Sequence, residues 1–106
     1  MDLIFKLATK HQVLFKVHGD VCLFNLEQGM LFVSVCELEA RPILGIECYD
    51  AKSTSLLTDV DCVADFSASA GLEKSVFILE SCKSAREFIK LHSSIERLFE
   101  FIINEI

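Results

Sequence analysis

The chain has 106 residues, of which 52% are hydrophobic and 25% charged, and its formal net charge is −6. This balance excludes a disordered chain and predicts one domain, residues 1–106, large enough to bury more than half of its unfolded surface. The acidic charge and the scattered basic residues argue against nucleic acid and anionic lipid as ligands, because both require clustered Lys and Arg.

The N-terminal stretch MDLIFKLATK has an acid at position 2 and lacks the uninterrupted apolar segment of a signal peptide. No apolar run approaches the roughly 20 residues of a transmembrane helix. Five cysteines, with no CxxC pair, are typical of reduced core residues in an intracellular protein, and Cys82 is the candidate for a reactive thiol. We therefore expect a cytoplasmic protein, with the nucleus left open, and no membrane contact.

The first half of the chain is predicted to form an antiparallel meander of five strands. Short apolar or alternating segments, separated by turn residues such as Gly19-Asp20, indicate hairpins. The predicted strands cover residues 3–8, 13–18, 21–26, 30–36 and 43–49. Two stretches, 21–24 and 30–33, are apolar at consecutive positions, so both faces of the sheet are expected to need cover.

Residues 53–70 are compatible with two structures. As a helix, they place their aliphatic side chains on one face and Thr58 and Asp59 on the other. As a strand, their apolar residues alternate with Asp59, Asp61 and Asp65. Because Asp is depleted in strands and a strand over 56–66 is long, helix is favoured.

Residues 75–106 are predicted to form a short buried strand followed by one long amphipathic helix. The apolar run 76–79 indicates the strand, and a capping box from Ser84 to Glu87 indicates a helix that begins near residue 82. Apolar residues then recur at alternating steps of four and three. Phe101 lies outside this apolar arc in projection, so it is expected to be exposed and available to a partner.

The sequence shows no catalytic constellation. Asp59 and Asp61 would diverge on a helix, and the three histidines share no ligand spacing. The glycines occur singly, which excludes a phosphate-binding loop of the common types. We therefore expect a protein without enzymatic activity, metal or cofactor.

The segment from residue 41 to 98 resembles the small proteasome assembly chaperones of the chaperone 3 and chaperone 4 type. In that family a strand leads through a polar turn and a Leu-Leu pair into a helix, then through a short loop to a strand and the last helix. The corresponding positions here are Leu56-Leu57, Gly71 and Val76-Phe77-Ile78. Residues 12–35 are similar in kind to the first hairpins of the family.

With residues 53–70 taken as a helix, the predicted order is five strands, helix, strand, helix. This resemblance implies the matching α+β fold, an antiparallel five- to six-stranded sheet with two helices on one face. It implies a non-enzymatic chaperone that pairs with a related small chaperone subunit, as a homo- or heterodimer, and assists proteasome α-subunits in forming the 20S α-ring. Family members dimerise through their sheets. The residues expected at the partner interface are Val21, Leu23, Leu31, Val33, Val35 and Phe101.

An alternative takes residues 53–70 as a strand. Seven strands followed by a C-terminal helix resemble the pleckstrin-homology superfold, a barrel capped by one helix. Residues 77–95 are similar to the end of such domains, with Phe88 where they usually carry Trp. The function implied is that of a protein-interaction module, which would be a monomer.

Overall fold

The computed structural model describes residues 2–50, 60–67, 71–92 and 97–103. The elements in chain order are α1 (Asp2–Lys10), β1 (Lys16–His18), β2 (Val21–Leu23), α2 (Leu26–Leu38), β3 (Ile43–Asp50), β4 (Val60–Asp65), α3 (Lys74–Leu91) and β5 (Arg97–Ile103). The α+β class is confirmed. The predicted order of five strands, helix, strand and helix is wrong, because α1 precedes the described strands and α2 lies between β2 and β3.

The strands form two antiparallel sheets. β1 and β2 make a hairpin, and the three-stranded sheet has the order β4-β3-β5 with β3 in the centre. One bridge joins them: the backbone amides of Phe24 and Phe99 donate to each other's carbonyl oxygens at 2.9 and 2.7 Å. The described strands are thus fewer per sheet than the five to six expected, and they close no barrel of the pleckstrin-homology type.

Three phenylalanines, from the β2–α2 connection, α2 and β5, meet at the centre of the core. The ring of Phe24 lies 4.7 Å from that of Phe32 and 5.4 Å from that of Phe101, and the last two are 5.0 Å apart. Each such pair contributes about 0.5–1.5 kcal/mol beyond the burial of its area. Gly29 lies beside them, facing Ile89 of α3, so α2 and α3 approach closely over this cluster.

Two segments predicted as strands in the first half, 3–8 and 30–36, are helical. In α1, the spacing of Ile4, Leu7 and Ala8 places all three in the core. The predicted loop before residue 30 is the first turn of α2, where the Asn25 side chain accepts a hydrogen bond from the Gln28 amide at 2.8 Å. Because α2 is apolar on most sides, its sequence has the consecutive pattern that a buried strand also shows.

The C-terminal third of the chain also differs from the predicted structure. Residues 76–79 belong to α3, which ends at Leu91, and residues 97–103 form a strand instead of the last turns of a helix. Phe101 is buried in β5, because alternate residues of this strand face the core. Residues 60–65 are a strand, so the favoured helix over 53–70 is wrong there, and residues 53–59 lie outside the described part of the chain.

Four cysteines, Cys22, Cys36, Cys48 and Cys82, are buried, but they are not all free thiols. Cys22, Cys36 and Cys82 are free, and burial raises the pKa of Cys82 to about 11, which makes it a poor nucleophile. Cys48 is disulfide-bonded, and Cys62 lies opposite it in the β3–β4 ladder. Disulfides are typical of oxidising compartments, so this bond corrects the expectation of a wholly reduced chain.

Replacing Phe101 by Ala should lower the free energy of unfolding by about 3–5 kcal/mol, because it empties the centre of the core. Leu91→Ala, at an exposed position of α3, should change it by no more than about 0.5 kcal/mol. Urea unfolding followed by circular dichroism measures both. Equal, small effects would contradict the placement of Phe101 in a core strand.

Two glycines provide a second test of the packing. A Cβ at Gly29 would lie 3.6 Å from Ile89 Cδ1, an ordinary contact, so Gly29→Ala should stabilise α2 by up to about 1 kcal/mol. A Cβ at Gly45 would lie 2.8 Å from the Ala64 carbonyl oxygen. Gly45→Ala should therefore destabilise the fold by about 1–3 kcal/mol, and thermal unfolding of the two variants compares them directly.

Candidate protein-binding surface

One face of the three-stranded sheet points away from the helices. In an antiparallel ladder, residues directly opposite each other share a face, so Glu47 lies between Val63 and Glu100 in one row across the sheet. We call this surface the outer face. Its residues are Gly45, Glu47, Tyr49, Val63, Asp65, Leu98, Glu100 and Ile102.

The described helices do not cover the outer face. The buried apolar side chains of α1 and α2 join the main core, which lies on the opposite face of the sheet, as do most of those of α3. A second, small cluster contains strand residues alone, with Leu23 and Tyr49 at its centre. Val63 and Ile102 stay 61% and 42% exposed, so apolar groups of the outer face remain open to solvent.

Two carboxylates share one hydroxyl on the outer face. The Tyr49 hydroxyl lies 3.0 Å from Glu47 Oε2 and 2.9 Å from Glu100 Oε1. A hydroxyl has one hydrogen, so it can donate to only one carboxylate at a time, and the other gains no hydrogen bond from it. Like charges directly opposite each other in a ladder are destabilising. The pair is therefore an unfavourable local arrangement that a cation would relieve.

The titration of these groups follows from their surroundings. Burial raises the pKa of Glu100, and the neighbouring Glu47 raises it further, while the hydrogen bond from Tyr49 lowers it. Burial also raises the pKa of Tyr49, with added contributions from Glu100 and Glu47, so its hydroxyl remains a hydrogen-bond donor at neutral pH.

The outer face is acidic as well as apolar. Among its eight residues are three carboxylates, at Glu47, Asp65 and Glu100, and no Lys or Arg. A hydrogen bond from Ser67 lowers the pKa of Asp65, which therefore stays ionised. Such a surface is complementary to a partner surface that carries both apolar and basic side chains.

The residues predicted from sequence to contact a partner lie in several places. Leu31 is the one clearly exposed member, on α2. Leu23 is at the centre of the small cluster of strand residues and Val21 packs against it, so both pack with the outer-face residues Tyr49 and Leu98. Val33, Val35 and Phe101 are core residues, because the segments that carry them are a buried helix and a core-facing strand.

Sequence reasoning missed Glu47, Tyr49 and Glu100. The first two lie at alternate positions of a correctly predicted strand, and this spacing could have placed them on one face. Glu100 gives no such signal, because the sequence predicts a helix for its segment. Only the pairing of β3 with β5 brings the two carboxylates together.

A second apolar surface lies on α2. A groove of about 230 Å³ runs beside it, lined by His11, Val13, Leu31, Ser34, Val35 and Leu38. At its end, Glu39 binds Lys10 at 2.8 Å and His11 at 2.7 Å, and these hydrogen bonds lower the pKa of Glu39 to about 2. The groove is open, but Glu39 at this end is already paired with Lys10 and hydrogen-bonded to His11.

Comparison with protein-family models, curated proteins and solved structures found no significant match for this chain. In residues 2–50, 60–67, 71–92 and 97–103, no three His, Cys, Asp or Glu side chains are placed to hold a metal ion. None of the helices in this part is long and apolar enough to cross a bilayer.

Glu100→Gln should stabilise the protein at pH 7 and lose that advantage at pH 4. A carboxyl whose pKa is raised in the folded state lowers stability as the pH rises from its unfolded pKa through its folded pKa. The glutamine side chain does not ionise, so the variant does not lose stability as the pH rises. Urea unfolding of both proteins between pH 4 and 8 measures the difference, and a pH-independent difference would contradict the assignment. Asp65→Asn is the control, since its pKa is shifted in the opposite direction.

Proposed function

We propose that this chain is a non-enzymatic protein-binding domain that pairs with a different protein chain through its outer face. The observation that supports this proposal is the one-sided layering of the fold: the described helices pack on one side of β3, β4 and β5. The other side combines exposed apolar side chains with three carboxylates. Exposed apolar patches on small domains commonly mark association sites.

Charge favours a different chain over a second copy. A symmetric dimer through the outer face would bring two sets of three carboxylates together in chains that each carry a net charge of −6. Juxtaposed like charges disfavour such pairing, whereas a basic surface would be attracted. The partner is therefore a protein whose contact surface combines Lys or Arg with apolar side chains.

The finer proposal, from the sequence resemblance, is that the partner is a related small chaperone subunit and that the pair assists proteasome α-ring assembly. This proposal depends on the residue pattern alone. Residues 76–78, which would correspond to a strand in that family, are helical here. The fold therefore supports the pairing role, but it does not support the proteasome role.

The test is co-purification of the tagged chain from its native cells, followed by binding measurements with the recovered partner. Val63→Lys should weaken binding at least tenfold, or about 1.4 kcal/mol, because it removes an apolar contact and adds repulsion to a basic surface. Leu79→Lys is the matched control, because Leu79 is 58% exposed but lies on α3. Raising the salt concentration should slow association.

Two results would contradict the pairing proposal. One is equal binding by wild type and Val63→Lys, and the other is a stable homodimer of the purified chain in sedimentation at micromolar concentration. Recovery of a related small chaperone and free α-subunits would support the finer role. Recovery of other proteins instead would refute the proteasome role but would not contradict the pairing role.

A further inference from the structure

The two sheets separate on one side of their single bridge. β2 and β5 are antiparallel neighbours, but among the described residues they pair only at Phe24 and Phe99. Beyond that bridge lies a cleft of about 250 Å³, and its lining includes Ile4, Asp20, Cys22, Glu100, Phe101 and Ile103. The cleft is thus a wedge between two strands that would otherwise form one continuous sheet.

Both strands turn backbone hydrogen-bonding groups toward the cleft. Alternate residues of a strand direct their N–H and C=O groups to opposite sides. Because Phe99 bonds to Phe24 on the β2 side, Phe101 and Ile103 direct theirs to the same side, into the cleft. Cys22 lies two residues before Phe24, so its N–H and C=O groups also point into the cleft. Such unpaired strand edges are templates for another strand.

The side chains around the cleft define what kind of strand fits. Ile4, Phe101 and Ile103 belong to the main core and make its floor apolar. Asp20 and Glu100 add two carboxylates, and the charge of Asp20 contributes to the raised pKa of Glu100. An extended peptide presents alternate side chains to opposite faces, so it can offer apolar groups to the floor and a cation to the carboxylates.

We propose that the cleft between β2 and β5 binds an extended peptide that contains a Lys or Arg flanked by apolar residues. The peptide adds as a strand to β5, pairs with the backbones of Phe101 and Ile103, and places its cation between Asp20 and Glu100. Neighbouring strands lie about 4.8 Å apart, so the β1–β2 hairpin moves outward around the Phe24–Phe99 bridge as the peptide enters.

This site goes beyond the proposed function, because it uses a strand edge and the pairing proposal uses a sheet face. The volume of the cleft is below the roughly 300–1,000 Å³ of small-molecule pockets. This size favours an extended peptide backbone over an enclosed compact ligand. Its two carboxylates disfavour acidic peptides.

The experiment uses a fluorescent synthetic peptide, Val-Thr-Val-Lys-Val-Thr-Val, with the full chain and fluorescence anisotropy as the readout. The peptide should bind, and a version with Glu in place of Lys should bind at least tenfold more weakly. A version N-methylated at every peptide bond cannot donate backbone hydrogen bonds and should not bind. On binding, amide exchange should slow at Phe101 and Ile103.

Protein variants distinguish peptide binding in the cleft from peptide binding elsewhere on the surface. Asp20→Asn and Glu100→Gln should each weaken peptide binding about fivefold, as expected for loss of one partly exposed ion pair. Asp65→Asn, on the outer face but not in the cleft lining, should leave it unchanged. Val63→Lys should weaken pairing with the protein partner without changing peptide binding, so the two proposals fail independently.

Binding of the N-methylated peptide as tightly as the parent would overturn strand addition. So would slowed amide exchange confined to residues outside β2 and β5. Loss of binding in Asp65→Asn equal to that in Glu100→Gln would show general attraction to an acidic protein and would also refute the site.

Discussion

Phe24 holds the sheet and the helical layer together. Its backbone makes the one described bridge between the hairpin and the three-stranded sheet, by bonding Phe99 of β5. Its ring packs on Phe32 of α2 and on Phe101 of β5. This residue, which directly follows the short strand β2, thus connects the hairpin, α2 and β5.

The helix layer is tied to the sheet at a second point. Ser81 of α3 is buried, accepts a hydrogen bond from the Ile43 amide at 3.0 Å and donates to the Ile78 carbonyl oxygen at 3.2 Å. A buried hydroxyl that lost these partners would cost about 1–3 kcal/mol, so the contact fixes α3 against the start of β3. With the helices held on this side, the described helices leave the apolar and acidic outer face uncovered.

The two candidate surfaces have a common structural origin. Because β2 and β5 are joined at one bridge, the hairpin diverges from the sheet and opens the cleft. Because the described helices pack on one side, β3, β4 and β5 expose their other side. Glu100 belongs to both surfaces, because it lies in the outer-face row of β5 and also lines the cleft.

The sequence by itself determined the α+β class, the turn at Gly19-Asp20 and the strand that became β3. These follow from local signals: a glycine that adopts a positive φ of 65°, and a β-branched and aromatic segment between breakers. The sequence also indicated that apolar surface would remain beyond what the helices cover, although it placed that surface on largely buried residues.

Tertiary structure decided the rest. The segments at α2 and β5 are apolar at spacings that fit both a helix and a strand, so their local pattern could not choose between them. Long-range packing decides between helix and strand, because α2 packs on Phe24 and β5 pairs with β3. The carboxylate pair at Glu47 and Glu100 comes from residues far apart in sequence and exists only once those strands pair.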